Sequence, residues 1–150
     1  MSKDDLVPNL LQNSIIAGPD SRKLFVLEEK SKKWIGKNIT QKIGFTFQID
    51  KDLMNDIESK KCDKGLFLEN NDVYLVELKG VDFNTACKQL LVTLDFCKQN
   101  LGSYNYFCRV VAKELPSKNN YPTSYRQLLA KLPKNNKCFY AKSNVLEEEV

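Results

Sequence analysis

Histidine is absent from this chain of 150 residues, and that absence excludes more chemistry than any other feature of its composition. A Ser-His-Asp or Cys-His nucleophile system cannot be assembled. Neither can a zinc site with imidazole ligands, an HNH-type nuclease or a histidine-based ribonuclease. Acid–base work falls to carboxylates, Lys, Tyr, Cys or a metal-bound water. Cysteine is sparse and unpatterned: Cys62, Cys87, Cys97, Cys108 and Cys138 are odd in number and form no C-x-x-C pair. With no visible partner to lower a thiol pKa, they read as small core residues rather than nucleophiles. No phosphate loop of the G-x-x-x-x-G-K-[ST] or G-x-G-x-x-G type occurs, so an ATP or dinucleotide site is not expected. No apolar run approaches the roughly 18 residues of a transmembrane helix, so no membrane partner is expected. The first residues, MSKDDLVPNLLQNSII, lack a basic region followed by a long apolar stretch. Together with free thiols, this predicts a reducing, cytoplasmic location.

What is present is ordinary for a globular chain. Hydrophobic residues make up 42% and charged residues 28% of 17.3 kDa, enough for one domain whose core needs no disulfide or metal staple. Lys and Arg number 23 against 19 acids, a net charge of +4. That balance is compatible with nucleic acid without being diagnostic of it.

Three regions follow from the patterning. Residues 1–22 form a peripheral segment, with Leu6, Leu10, Leu11 and Ile15 spaced for a short amphipathic helix that Gly18-Pro19 would break. Residues 23–142 form a single domain, and the acidic tail 143–150 is expected to fray. Within the domain, KLFVLE (23–28) and GFTFQI (44–49) read as strands, the second from its period of two. KSKKWIGK (30–37) reads as a basic stretch around the only Trp. CDKGLFLE (62–69) and VYLVELK (73–79), separated by a turn at Asn70-Asn71-Asp72, read as a β-hairpin. Its second arm is apolar enough for a central strand buried on both faces. Asp82 can cap a helix to about Asn100, with Gly102 near its end and Phe83, Ala86, Cys87, Leu90, Leu91, Leu94 and Cys97 on one face. A strand at 104–112, a helix at 121–132 with Pro122 in its first turn, and a strand at 137–142 complete the series. The order β–β–β–β–α–β–α–β predicts an α/β fold, a mixed central β-sheet flanked by helices.

Glu77 and Lys79 interrupt the apolar second arm with opposite charges, both pointing to one face because strand side chains alternate. Asp63 lies at the far end of the partner strand. Two carboxylates on adjacent strands, with the Leu78 carbonyl, can hold a hard cation such as Mg²⁺ or Mn²⁺. A neighbouring ammonium can orient an attacking water or stabilise charge on a phosphate. A salt bridge at the strand end is the alternative meaning of the same residues. The metal reading makes a geometric demand. Asp63 shares a face with Glu77 only if paired residue numbers have an even sum, so the hairpin needs an odd-length turn or a bulge.

Asp63, thirteen intervening residues, then Glu77-Leu78-Lys79, on a hairpin followed by a capped helix and a strand, resembles the PD-(D/E)XK nuclease superfamily. That superfamily includes many restriction endonucleases, RecB-like nucleases and archaeal Holliday junction resolvases. The resemblance spans residues 63 to 109. It implies a restriction-endonuclease-like core, metal ligation by Asp63 and Glu77, and a catalytic role for Lys79. Gln89 falls in the following helix, where RecB-like members often carry a glutamine near the site. The sequence departs from the pattern at Cys62, where Pro is common, and at Thr93, where the RecB-like motif has Tyr. Many members also carry a Glu in a helix before the hairpin. Glu28, Glu29 and Glu58 are available for that role, and spacing does not choose among them.

From Lys113 to Lys142 seven basic residues (Lys113, Lys118, Arg126, Lys131, Lys134, Lys137, Lys142) stand against one acid, Glu114. Tyr121, Tyr125 and Tyr140 lie among them. Such a stretch suits a phosphate backbone and unstacked bases, or is simply a solvated basic face. Lys30, Lys32, Lys33 and Lys37 around Trp34 extend that surface or decorate a turn. The function expected is Mg²⁺-dependent hydrolysis of phosphodiester bonds, in DNA rather than RNA. The alternative is a non-catalytic module on the same fold that binds nucleic acid or a larger protein partner. A homodimer would supply two active sites for cutting both strands of a duplex.

Overall fold

The computed structural model describes residues 6–49, 64–78, 82–135 and 137–150. Its strands are β1 (Ile15–Asp20), β2 (Leu24–Glu29), β3 (Lys32–Lys37), β4 (Gly44–Gln48), β5 (Lys64–Leu68), β6 (Asp72–Glu77), β7 (Asn105–Ala112), β8 (Phe139–Ser143) and β9 (Val145–Glu149). The α-helices among the described residues are α1 (Phe83–Asn100) and α2 (Thr123–Ala130). The strands form a six-stranded sheet in the order β1-β4-β5-β6-β7-β8 and a three-stranded sheet in the order β2-β3-β9. The large sheet is mixed. Its β4-β5-β6 part is an antiparallel meander, and β6, β7 and β8 run parallel to one another. The expected α/β class with a mixed sheet is therefore what the chain adopts.

The hairpin meets the geometric demand derived above. Lys64 pairs with Val76 and Phe67 with Val73, so paired residue numbers have an even sum. The connection between β5 and β6 is the three residues Glu69–Asn71, one position earlier than the turn read from the sequence. Asn71 takes the left-handed conformation (φ 71°) and donates its N–H to the Leu68 carbonyl at 3.0 Å. Asn tolerates that conformation better than most residues. Strand β6 lies between β5 and β7 with Val73 to Glu77 all buried, as a central strand covered on both faces must be.

Two layers cover the large sheet, and they differ in kind. On one face Phe45, Phe47, Phe67, Val73 and Leu75 pack against Phe83, Ala86, Cys87, Leu90 and Leu94 of α1 and Leu128 of α2. On the other, Leu66, Leu68, Tyr74 and Val76 pack against Phe25, Leu27, Trp34 and Leu146 of the small sheet. Both helices thus lie on one face, and a second sheet replaces the helical cover expected on the other. The cause is local. In β2 only Phe25 and Leu27 are buried, and in β3 Lys32, Trp34 and Gly36 are buried while Lys33, Ile35 and Lys37 are half-buried. Each strand therefore owns one apolar face and needs a sheet to place it on.

The ends of the chain also depart from expectation. Residues before 23 add edge strand β1 to β4 rather than a helix across Ile15, and Asn9–Leu11 is a short 3₁₀ turn. The acidic tail does not fray. Residues 145–149 pair in parallel with β3, Lys33 opposite Val145 and Lys37 opposite Glu149. Lys37, opposite Glu149, also lies with its Nζ 3.9 Å from Glu147, and Leu146, opposite Trp34, reaches the core. The basic stretch around Trp34 is thus a strand of this small sheet.

Candidate functional site

Strand β6 ends at Glu77, whose side chain is completely buried. Glu77 alternates with Val73 and Leu75 and stands opposite Val110 of β7, all residues of the helix-covered face. Burying a carboxylate is costly unless its charge is met by a cation, by donors or by a metal. Leu78 follows, also fully buried, in the layer facing the small sheet. The chain then enters α1, which begins only six residues after Glu77. Asp82 caps it by accepting from the Thr85 N–H at 2.8 Å and the Thr85 hydroxyl at 2.9 Å. Because β6, α1 and β7 form a parallel crossover, α1 runs back over the same face with its N-terminus at the carboxyl end of β6.

Gln89 lies on the sheet-facing side of α1, 3% exposed, in the layer that holds Glu77. Its Oε1 accepts no hydrogen bond among the described residues. The structure therefore brings Glu77 and Gln89 to one face. Asp63 and Lys79 lie outside the described residues, as do Cys62 and Glu58. Among the described residues no three Asp, Glu or Cys side chains converge as a ready-made metal centre. The donors described here are oxygens, the Glu77 carboxylate, the Leu78 carbonyl and Gln89 Oε1. That set fits a hard cation in kind. Glu28 and Glu29 belong to β2, in the sheet covering the opposite face, and Glu28 is exposed 3.7 Å from Lys33. Neither joins the Glu77 layer.

The buried thiols are inert, as expected. Burial pushes Cys87 and Cys97 up to about 12 and raises Cys108 further. Only Cys138 among the described cysteines is half-exposed.

The basic residues are all exposed but do not gather at Glu77. Lys113 leaves β7 three residues beyond Val110, about 10 Å along the strand from the Glu77 level. Lys118 follows in a short 3₁₀ turn and Arg126 lies on α2. Lys131 is engaged with Asp95 of α1 at 2.7 Å. Lys134 and Lys137 precede β8, whose first residue stands opposite Cys108, back toward the amino end of β7. The basic stretch thus runs from the end of β7, past α2, to β8. Its aromatics are occupied too. Tyr121 and Tyr125 pack on Phe83 at 4.5 and 6.1 Å, and Tyr140 lies beneath Arg109.

Two features escaped the sequence reading. The first is a cleft of about 690 Å³ between the start of α1, the segment after β7 and the approach to α2, lined by Asn84, Lys113, Leu115, Asn120 and their neighbours. It opens at the carboxyl end of β7, where ligands of parallel sheets commonly bind. The second is Arg109, fully buried on the face opposite Glu77. Its Nε and Nη2 donate to Glu148 at 2.6 and 2.9 Å, and the Trp34 indole N–H donates to the same carboxylate at 2.8 Å. The guanidinium also lies over Tyr140, Tyr74 and Phe107, 4.3, 5.2 and 5.7 Å from their ring centroids. Arg109 sits in an otherwise apolar strand, and nothing near it in sequence names its partner 39 residues away.

Comparison with known protein families, curated proteins and solved structures finds no match to this chain. Among the described residues, no helix is long and apolar enough to cross a membrane.

Proposed function

We propose that this protein is a metal-dependent nuclease of the PD-(D/E)XK type, acting on phosphodiester bonds in DNA. The observation that carries the reading is the register of the β5–β6 hairpin. Its pairs, 64 with 76 through 67 with 73, belong to the series that contains 63 with 77, so the spacing Asp63…Glu77 is the one a two-carboxylate site on this hairpin requires. Glu77 closes the central strand of a meander, and a crossover helix leads to a parallel strand, the order that the superfamily resemblance implies.

In this reading Asp63, Glu77 and the Leu78 carbonyl hold Mg²⁺ or Mn²⁺. The cation, when bound, supplies positive charge beside the scissile phosphate. Lys79 orients the attacking water and stabilises negative charge on the phosphate, the part that histidine plays elsewhere. Gln89 positions the Glu77 side of the site from α1. Lys113 is the basic residue best placed to meet the backbone of the substrate.

The test is incubation with linear, circular, single-stranded and branched DNA in Mg²⁺, Mn²⁺ or EDTA. Cleavage is expected with metal only, reduced at least about 100-fold by Lys79→Ala and by Asp63→Asn, with unchanged circular dichroism. Binding of DNA without cutting under any metal would replace this reading with the non-catalytic module.

A further inference from the structure

We infer that the cleft beside β7 receives a single unstacked nucleobase, so that the preferred substrate is single-stranded nucleic acid or a junction with unpaired nucleotides. The inference rests on the nuclease reading only for the word substrate; the binding it describes stands without metal.

The cleft has the size and make-up of a small-ligand site. Its volume of about 690 Å³ lies within the range of small-ligand sites, and the cleft is largely open to solvent, so a base reaches it by leaving its stack while its backbone stays outside. Phe83, Leu115 and Pro122 supply apolar wall. Polar and charged residues make up about half of the lining, and neighbouring hydroxyls set the polarity of its two amides. Asn84 Oδ1 accepts from the Ser124 hydroxyl at 2.6 Å, and Ser124 is itself buried on α2. That bond occupies the carbonyl end of the amide and leaves Nδ2 to donate. Asn120 is set the other way. Its Nδ2 donates to the Ser117 hydroxyl at 3.0 Å, which leaves Oδ1 to accept. The cleft therefore offers one amide donor and one amide acceptor on different walls, with Lys113 at the rim. A nucleobase carries matching acceptors and donors along its exposed edge, and its phosphate is met by an ammonium. Glu114 and Asp82 also line the cleft. They make it a poor site for a free anion and favour a neutral base over a bare phosphate.

The position suits the same ligand. Lys113 and Asn84 stand just beyond the carboxyl ends of β7 and β6, the edge of the sheet at which Glu77 ends its strand. A base held there leaves its backbone close to that edge.

The experiment is fluorescence anisotropy in EDTA, with a labelled 20-nucleotide single strand and the duplex of the same sequence. The wild type is expected to bind the single strand more tightly. Asn84→Ala with Asn120→Ala should weaken single-strand binding about tenfold or more and leave duplex binding unchanged. Lys113→Ala should weaken both. Both asparagines are exposed, and an unchanged melting curve for each single variant checks that the fold survives. Equal affinity for the two DNAs, or an unchanged single-strand affinity in the double variant, would overturn the inference. Metal-dependent cleavage measured in parallel separates the two proposals. Selective single-strand binding by a protein that cuts nothing retires the nuclease alone. Duplex cutting insensitive to both asparagines retires the cleft alone.

Discussion

Arg109 carries a charge in the middle of a strand that is otherwise almost wholly apolar, and its side chain has no exposed surface. The fork of its guanidinium matches both oxygens of Glu148, and the Trp34 indole adds a third donor to that carboxylate. Breaking a buried pair by removing one partner leaves the other charge stranded, which costs more than replacing both partners by apolar groups. Glu148→Gln is accordingly expected to lower unfolding stability by about 3 kcal/mol. Arg109→Met combined with Glu148→Leu should cost less than that single change. Urea unfolding of the three proteins checks the order; a double variant less stable than Glu148→Gln would show that the pair contributes more than its burial costs. Glu77 differs from Arg109 in how it read beforehand. Its charge sat beside Lys79 and opposite Asp63 in a recognisable spacing, so it stood out as a site, whereas the partner of Arg109 lay in a tail that looked unstructured.

At the scale of elements, local chemistry explains what was legible. Helix α1 was readable because it combines an N-cap, a 3.6-residue apolar period and Gly102 at its end, whose φ of 128° and N–H to the Cys97 carbonyl close the helix. Asp82→Ala should therefore destabilise the protein by about 1 kcal/mol, read as a shift in urea midpoint with an unchanged slope. A shift below a few tenths of that would mean that packing alone holds the start of α1. Strands β3 and β9 were not legible. The first alternates lysines with Trp34 and Gly36, and the second is three consecutive acids after Val145 and Leu146. Neither has a strong strand signal alone. They pair because Trp34 and Leu146 meet at the core and Lys37 meets Glu147 and Glu149 across about a hundred residues, a match no local window contains. Gly65 shows the same limit: a side chain there would meet the Phe47 ring and come within 2.7 Å of the Tyr74 carbonyl oxygen, a constraint set by neighbouring strands.

For the whole molecule, the core between the large sheet and its helices holds three thiols whose neutral form is favoured by burial. Their pKa values are raised on folding, so unfolding releases protons once the solution passes the ordinary thiol value of 9.0. Stability is fully present below that pH and falls as pH rises from there toward about 12 for Cys87 and Cys97. Buried Tyr74 and Tyr106, raised by the same desolvation, add to the loss at the alkaline end. Thermal melts should give a Tm that declines steadily above pH 9, less steeply in Cys87→Ala with Cys97→Ala. A profile flat to pH 11 would show that these groups titrate alike in both states.

The amino-acid order alone determined the α/β class, the hairpin, the capped helix and the strand after it. Each of these is set by near neighbours: a period, a cap, a turn residue. It also determined that any acid–base chemistry here proceeds without imidazole. Only the tertiary structure decided what lies on the second face of the sheet, that the acidic tail is a strand, and that a cleft opens at the end of β7. Those outcomes depend on contacts between residues far apart in the chain. Apolar faces must be covered by whichever distant segment fits them, and a buried charge must be met by whichever distant residue can reach it.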